Sequence, residues 1–260
     1  MTRYLSAPRP GTPASGPRMF CFPYAGGGAS TYAGWQRALG DRVRVLPIHL
    51  PGREGRMSEQ RFTDLDELTA DLDWELDAEL DEPHLFFGHS MGALIAFSLA
   101  LRRFERGAAL PTALILAAYR APHLPPPKIG DVDAPDAELV DVLSALGGIP
   151  DAVLRHPEWL STLLPIARDD LVLCATVPPR EQQPMPVPIH VFAGREDPLV
   201  APVEMSEWSR HTADEFEMRI LPGRHFFIKE RETHFLDHLA HLLDRYTSRG
   251  PAHRRQARAA

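Results

Sequence analysis

The chain has 260 residues, a net charge of −7, 44% hydrophobic and 24% charged residues, proportions that suit a water-soluble protein able to bury a sizeable core in one domain. The acidic balance argues against a non-specific nucleic-acid binder, and no apolar run is long enough to cross a bilayer. Cys21 and Cys174 both lie in apolar stretches and read as buried free thiols of a reducing compartment. With no signal-peptide core in residues 1–18, a cytoplasmic protein is expected.

Residues 1–17, rich in Pro, Ser and Gly, are expected to be disordered, and the basic tail 248–260 to be flexible. The domain proper is expected over 18–247. Within it, short apolar runs recur at 19–22, 43–48, 85–87, 113–118, 189–193 and 218–221. Their length, their content of Val, Ile, Leu and Phe, and their Gly or Pro endings suit fully buried parallel strands. Helical patterns separate most of them. Residues 62–80 place Leu65, Leu68, Leu72 and Leu76 on one face and acids on the other, with Thr63 as the expected N-cap. Residues 93–101 form another apolar helical stretch. Alternation of this kind predicts an α/β fold, a mostly parallel central sheet covered by helices on both faces. One segment breaks the rhythm. Residues 122–183 hold no strand pattern, begin and end in prolines, and carry helical patterns at 136–146, 151–155 and 157–177. An insertion of helices bounded by prolines predicts a lid over the active face.

The most informative stretch is Gly88-His89-Ser90-Met91-Gly92, a G-x-S-x-G between an apolar strand and a helix. In that context the serine sits on a sharp turn and becomes an exposed nucleophile. A serine hydroxyl needs a base within hydrogen-bond reach, and the base needs an acid to hold its tautomer. In chain order the acid precedes the base in such folds. The turn after the fifth run, Gly194-Arg195-Glu196-Asp197-Pro198, offers Asp197, with Glu196 as its rival. The loop after the sixth, Pro222-Gly223-Arg224-His225-Phe226, offers His225. The Met91 N–H at the helix start, and the Ala25 N–H in the loop Pro23-Tyr24-Ala25-Gly26-Gly27-Gly28, are the expected oxyanion-hole donors. That loop has neither G-x-G-x-x-G nor G-K-[ST], so it is not read as a nucleotide cradle. His89 is expected to pack locally, and His49 and His84 to flank strands. His234, His238 and His241 share a helix face, but Phe235 stands where a zincin has glutamate, and no metal site is expected.

These segments resemble the type II thioesterases, the stand-alone α/β-hydrolases associated with polyketide and nonribosomal peptide synthases. Phe20-Cys21-Phe22-Pro23-Tyr24-Ala25-Gly26-Gly27 is similar to the family's FPHAGG opening, Leu50-Pro51-Gly52-Arg53-Glu54-Gly55-Arg56 to its PGRxxR loop, and Phe87-Gly88-His89-Ser90-Met91-Gly92-Ala93 to its FGHSMGA elbow. Tyr119-Arg120-Ala121-Pro122 resembles RAP, residues 139–150 the lid helix, Gly194 to Pro198 GxxDP, and Gly223-Arg224-His225-Phe226-Phe227 GGHFF. The departures are Tyr24 for the usual histidine and Arg224 for the second glycine. The resemblance implies hydrolysis of acyl thioesters from the phosphopantetheine arm of acyl or peptidyl carrier proteins, with no cofactor of the enzyme's own. Carrier proteins are the implied partners, with a basic docking patch drawn from Arg53, Arg56 and Arg120. The rival readings are a carboxylester hydrolase with the same triad and a non-catalytic carrier-protein binder.

Overall fold

The computed structural model describes residues 2–6, 16–127, 129, 132–149, 151–176 and 183–247. The tail 248–260 and residues 1 and 7–15 of the expected disordered N-terminus lie outside the described residues.

Six strands form one sheet: β1 (Arg18–Phe22), β2 (Arg44–Pro47), β3 (His84–His89), β4 (Leu114–Ala117), β5 (Ile189–Gly194) and β6 (Phe216–Leu221), in the order β2-β1-β3-β4-β5-β6. Every neighbouring pair is parallel. All six expected runs are strands, with ends moved by up to two residues. A parallel strand buried on both faces is apolar throughout, so its signature is local and survives reading without partners. Among the described residues the α-helices are α1 (Trp35–Leu39), α2 (Leu65–Leu80), α3 (Met91–Glu105), α4 (Asp136–Leu146), α5 (Asp151–Leu154), α6 (Pro157–Ala175), α7 (Pro202–Ser206), α8 (Phe227–Glu230) and α9 (Glu232–Thr247).

Alternate strand residues feed two cores. Phe20, Phe22, Phe86, Leu114 and Leu116 pack with α2 and α3 on one face. Met19, Cys21, Leu85, Phe87 and Ile115 pack with α1 and α9 on the other. Helices thus cover both faces, the doubly covered architecture of the α/β-hydrolase fold. A third apolar cluster, Leu139, Leu143, Ile149, Leu164, Ala167 and Leu171, belongs to the helical insertion between β4 and β5.

Two expectations are corrected. The α2 N-cap is Asp64, not Thr63: its side chain accepts the Glu67 N–H at 3.0 Å. Both residue types cap helices; Asp64 is the one with extended backbone whose side chain reaches the N–H three residues on. Residues 2–6 are packed, not disordered. Tyr4 is fully buried against the first core, its hydroxyl donates to Asp71, and the Arg56 guanidinium lies 4.6 Å from its ring centroid.

Candidate active site

Strand β3 ends at His89, and α3 begins at Met91. The turn between them consists of Ser90, with φ 54° and ψ −125°. This conformation is strained for an L residue, and it persists because its surroundings over-determine it. The Ser90 N–H donates to the Ala117 carbonyl of β4 at 2.8 Å. Gly88 and Gly92 leave no room for side chains: a Cβ on the first would overlap the Gly92 carbonyl, and a Cβ on the second the Phe22 carbonyl. The elbow is therefore wedged against β1 and tied to β4.

The loops after β5 and β6 bring two side chains to this turn. His225 and Asp197 are buried, with side chains 2% and 0% exposed. The distance from His225 Nδ1 to Asp197 Oδ2 is 2.9 Å, and from His225 Nε2 to Ser90 Oγ 3.0 Å. A carboxylate can only accept, so Nδ1 carries the proton, and Nε2 is left to accept from the serine hydroxyl. The other Asp197 oxygen, Oδ1, accepts the Leu199 and Val200 N–H groups at 2.8 and 3.1 Å, which fixes the carboxylate. Glu196 faces elsewhere: its carboxylate accepts the Gly223 N–H at 2.6 Å at the surface. The rival acid is a brace between the two loops.

Ala25 shares a chamber with Ser90 and His225, lined otherwise by apolar side chains such as Leu143, Leu146, Ile149, Leu163 and Phe226. Its free space is about 20 Å³, the room of a single water-sized sphere. Among the described residues, neither the Ala25 nor the Met91 N–H donates to a protein acceptor. On the other side of the Gly26 loop, a groove of about 390 Å³ opens to solvent between Tyr24, Gly28, Arg53, Met57 and the insertion residues Trp159 and Leu163. Gly26, Gly148 and Leu163 border both spaces.

His89 packs locally, as expected. Its ring is fully buried among Tyr24, His225, Phe226 and Phe227, and neither nitrogen has a protein partner among the described residues. Burial first, then the neighbouring His225 and Lys229, holds it far below the ordinary imidazole range. It stays neutral and adds no charge behind His225. Tyr24 stacks edge-on to Phe226 at 4.9 Å, under the Lys229 ammonium at 4.4 Å. Arg224 is exposed, so its side chain does not crowd His225. Burial pushes the Cys21 and Cys174 thiols up, which leaves neither as a thiolate nucleophile. Among the described residues, no cluster of ligands suits a metal ion, and no helix is long and apolar enough to cross a membrane.

The arginine patch is overturned. Arg53 is buried on Asp170, with two bonds of 2.7 Å. Arg56 is spent on Glu59 and on the His49 carbonyl at 2.6 Å. Arg120 pairs with Glu204 at 3.0 Å and bonds the Pro125 and Leu199 carbonyls. Each guanidinium has found an internal partner that local sequence could not disclose. Asp170 carries a signal in the sequence that motif and strand patterns do not display. It lies three residues after Ala167 and four before Cys174, on the apolar face of α6, where an unpaired charge is costly.

A six-stranded parallel sheet with a serine on a strained strand-to-helix turn defines an α/β-hydrolase. A family model for the thioesterase domain matches residues 17–243. The chain is 35% identical to the protein named linear gramicidin dehydrogenase LgrE of Brevibacillus parabrevis, over 88% of each chain. It is 34% identical to the gramicidin S biosynthesis protein GrsT of Aneurinibacillus migulanus, over 87% of this chain and 88% of that one. The RedJ thioesterase from the prodiginine pathway of Streptomyces coelicolor superposes with a TM-score of 0.80 at 36% identity, covering 90% of this chain and 96% of that one. The type II thioesterase BorB from the borrelidin cluster does so with a TM-score of 0.81 at 35% identity, covering 92% and 97%. LgrE is named as a dehydrogenase, but the present chain contains no G-x-G-x-x-G dinucleotide fingerprint. The chain belongs to the thioesterase family and is a hydrolase acting on thioesters.

Proposed function

We propose that this enzyme releases acyl groups from the phosphopantetheine arm of acyl or peptidyl carrier proteins, through an acyl-enzyme on Ser90. The observation that carries the reading is the pair of hydrogen bonds linking Ser90 Oγ to His225 at 3.0 Å and His225 to Asp197 at 2.9 Å. His225 Nε2 takes the hydroxyl proton as Ser90 attacks the thioester carbonyl, and Asp197 stabilises the imidazolium that forms. The Met91 and Ala25 N–H groups hold the oxyanion of the tetrahedral intermediate. Collapse breaks the C–S bond, and the imidazolium returns its proton to the departing thiolate sulfur. Water, deprotonated by the same nitrogen, then hydrolyses the acyl-serine to the free acid. This sequence uses no cofactor and no metal; the phosphopantetheine belongs to the substrate.

The apolar chamber suits an aliphatic acyl group, and the groove beyond Gly26 suits the narrow arm that delivers it. Free space of about 20 Å³ admits no acyl chain, so the insertion helices act as a lid that must yield for substrate to enter. Met57 and Trp159, both about half exposed, flank the groove and supply an apolar rim for a docked carrier protein. GrsT is a gramicidin S biosynthesis protein, and RedJ and BorB come from prodiginine and borrelidin biosynthesis. Their similarity supports clearance of stalled or misloaded acyl groups from a polyketide or nonribosomal peptide synthase as the role of this chain.

Mass spectrometry of a panel of acyl-loaded carrier domains tests the reading. The enzyme should convert acyl carrier to free holo-carrier, and Ser90→Ala should lose at least about 10⁴-fold in rate while folding normally. Equal turnover of matched oxygen esters and thioesters would favour the carboxylester reading, and Ser90→Ala at the parent rate would refute the mechanism.

A further inference from the structure

The loop that carries Ala25 is a tight turn. The Gly27 N–H donates to the Tyr24 carbonyl at 2.9 Å, and Gly26 has φ +75°. A positive φ at the third position makes this a type II turn. The planar trans peptide between Tyr24 and Ala25 then sets the direction of the proposed oxyanion donor. The Tyr24 carbonyl points into the turn, so the Ala25 N–H points out of it. The turn's own bond fixes the direction of this N–H relative to the turn, but it does not fix where the turn sits relative to Ser90.

Asp170 of α6 supplies the missing constraint. Its Oδ2 accepts the Gly26 N–H, at the middle of the turn, at 2.8 Å. The same oxygen accepts Arg53 Nη1 at 2.7 Å, and Oδ1 accepts Arg53 Nη2 at 2.7 Å. Arg53 Nη1 also donates to the Gly27 carbonyl at 3.0 Å. One ion pair therefore grips an N–H and a C=O of adjacent loop residues. Both side chains are buried, 6% and 2% exposed. A buried pair is a poor source of stability compared with well-packed apolar residues, so stability does not explain its presence. What apolar residues cannot do is fix the plane of a peptide, which a carboxylate and a forked guanidinium do well.

We propose that Asp170, assisted by Arg53, is a positioning residue for the oxyanion hole. It holds the Tyr24–Gly27 turn in the position that brings the Ala25 N–H to the reacting carbonyl. The assignment rests on the proposed acyl-transfer role of that N–H. Because Asp170 belongs to the insertion, the placement of α6 and the competence of the hole are one event.

The test compares the full-length parent with Asp170→Asn, using a short acyl-pantetheine thioester as substrate and an alkylboronic acid, which forms a tetrahedral adduct on the serine, as ligand. In Asp170→Asn, kcat should fall about 10²-fold, the loss expected for a reacting group displaced by about 1 Å, with KM changed less than about threefold. Boronate affinity should fall by a similar factor as kcat, since its hydroxyl occupies the same hole. A merely structural residue would instead lower the melting temperature and leave kcat of the folded fraction intact, and that result overturns the proposal. If Asp170→Asn does not fold, the double variant Arg53→Met with Asp170→Leu decides, because apolar replacement of both partners preserves folding. It should be folded and slow; recovery of the parental kcat overturns the proposal. An active parent, an inactive Ser90→Ala and a fully active Asp170→Asn would refute the positioning role alone. A parent inert toward every thioester would refute the acyl-transfer reading beneath it.

Discussion

Gly88 and Gly92 face each other across the elbow with no space for a methyl group between them, since a Cβ on Gly88 would overlap the Gly92 carbonyl. The second glycine is in turn pressed against the Phe22 carbonyl of β1. This contact anchors the start of α3 against the first strand, next to the loop that holds Ala25. Gly88→Ala and Gly92→Ala should each cost at least about 2 kcal/mol, because backbone must move to admit the new carbon. Gly34, which has open space around it, provides the control. Gly34→Ala should stay within about 0.5 kcal/mol of the parent in urea unfolding. Elbow variants as stable as that control would show that the close approach is not a constraint.

Two adjacent acids should behave oppositely. Asp197→Asn keeps the shape of the side chain but loses the acceptor that fixes the His225 tautomer, and kcat should fall about 10⁴-fold. Glu196 only ties the turn to Gly223. Glu196→Gln should keep the rate within about fivefold, the scale of a surface hydrogen bond. Steady-state kinetics on one thioester measures both, and the reverse ranking would move the acid to position 196.

Burial lowers the His84 imidazole from 6.5 to about 4, with the Arg103 and Arg18 charges acting in the same direction and the bond to the Glu82 carbonyl opposing them. Between those values the unfolded chain binds a proton that the native protein does not. Native stability from this group is therefore complete above pH 6.5 and is lost as the pH falls toward 4. From pH 7.5 to 5 the expected loss is about 2 kcal/mol. His190 and His211, also lowered to about 4 chiefly by burial, push the same way. Urea unfolding across this range should show His84→Gln less sensitive to acid than the parent by about that amount. An unchanged slope would mean that His84 does not titrate differently in the two states.

Arg53, Arg56 and Arg120 are committed to internal partners, and the groove beside Gly26 has Met57 and Trp159 at its edge. Docking of a carrier on such a rim should depend little on ionic strength. kcat/KM for a carrier-bound substrate should change less than about threefold between roughly 0.05 and 0.5 M salt. Trp159→Ala should raise KM for the carrier-bound thioester by about tenfold, the effect of losing an aromatic anchor, and leave that for the pantetheine thioester nearly unchanged. A steep fall with salt would restore an electrostatic docking surface.

The residues of the candidate triad were legible in the linear chain because each sits at the end of an apolar run, and a buried strand announces itself by composition alone. The elbow was legible for the same reason: glycine, serine and glycine at fixed offsets have a local steric purpose. Position 64 in place of 63 as the α2 cap shows a limit, since two residue types that both cap helices stand side by side and local composition does not choose between them. The packed Tyr4 shows it too. One aromatic in a proline-rich segment carries no periodicity, and its site is made by α2 and the loop around Arg56.

The amino-acid order alone determined the strand–helix alternation, the nucleophile turn and the candidate acid and base, because these depend on interactions within a few residues. Folding in three dimensions decided that Asp197 and not Glu196 meets His225, that three arginines serve inside the protein, and that Asp170 reaches the Gly26 loop. The last contact joins residues separated by 144 positions. A charge reveals its sign in a sequence, but its partner is chosen by packing, where burial leaves it no alternative to being paired.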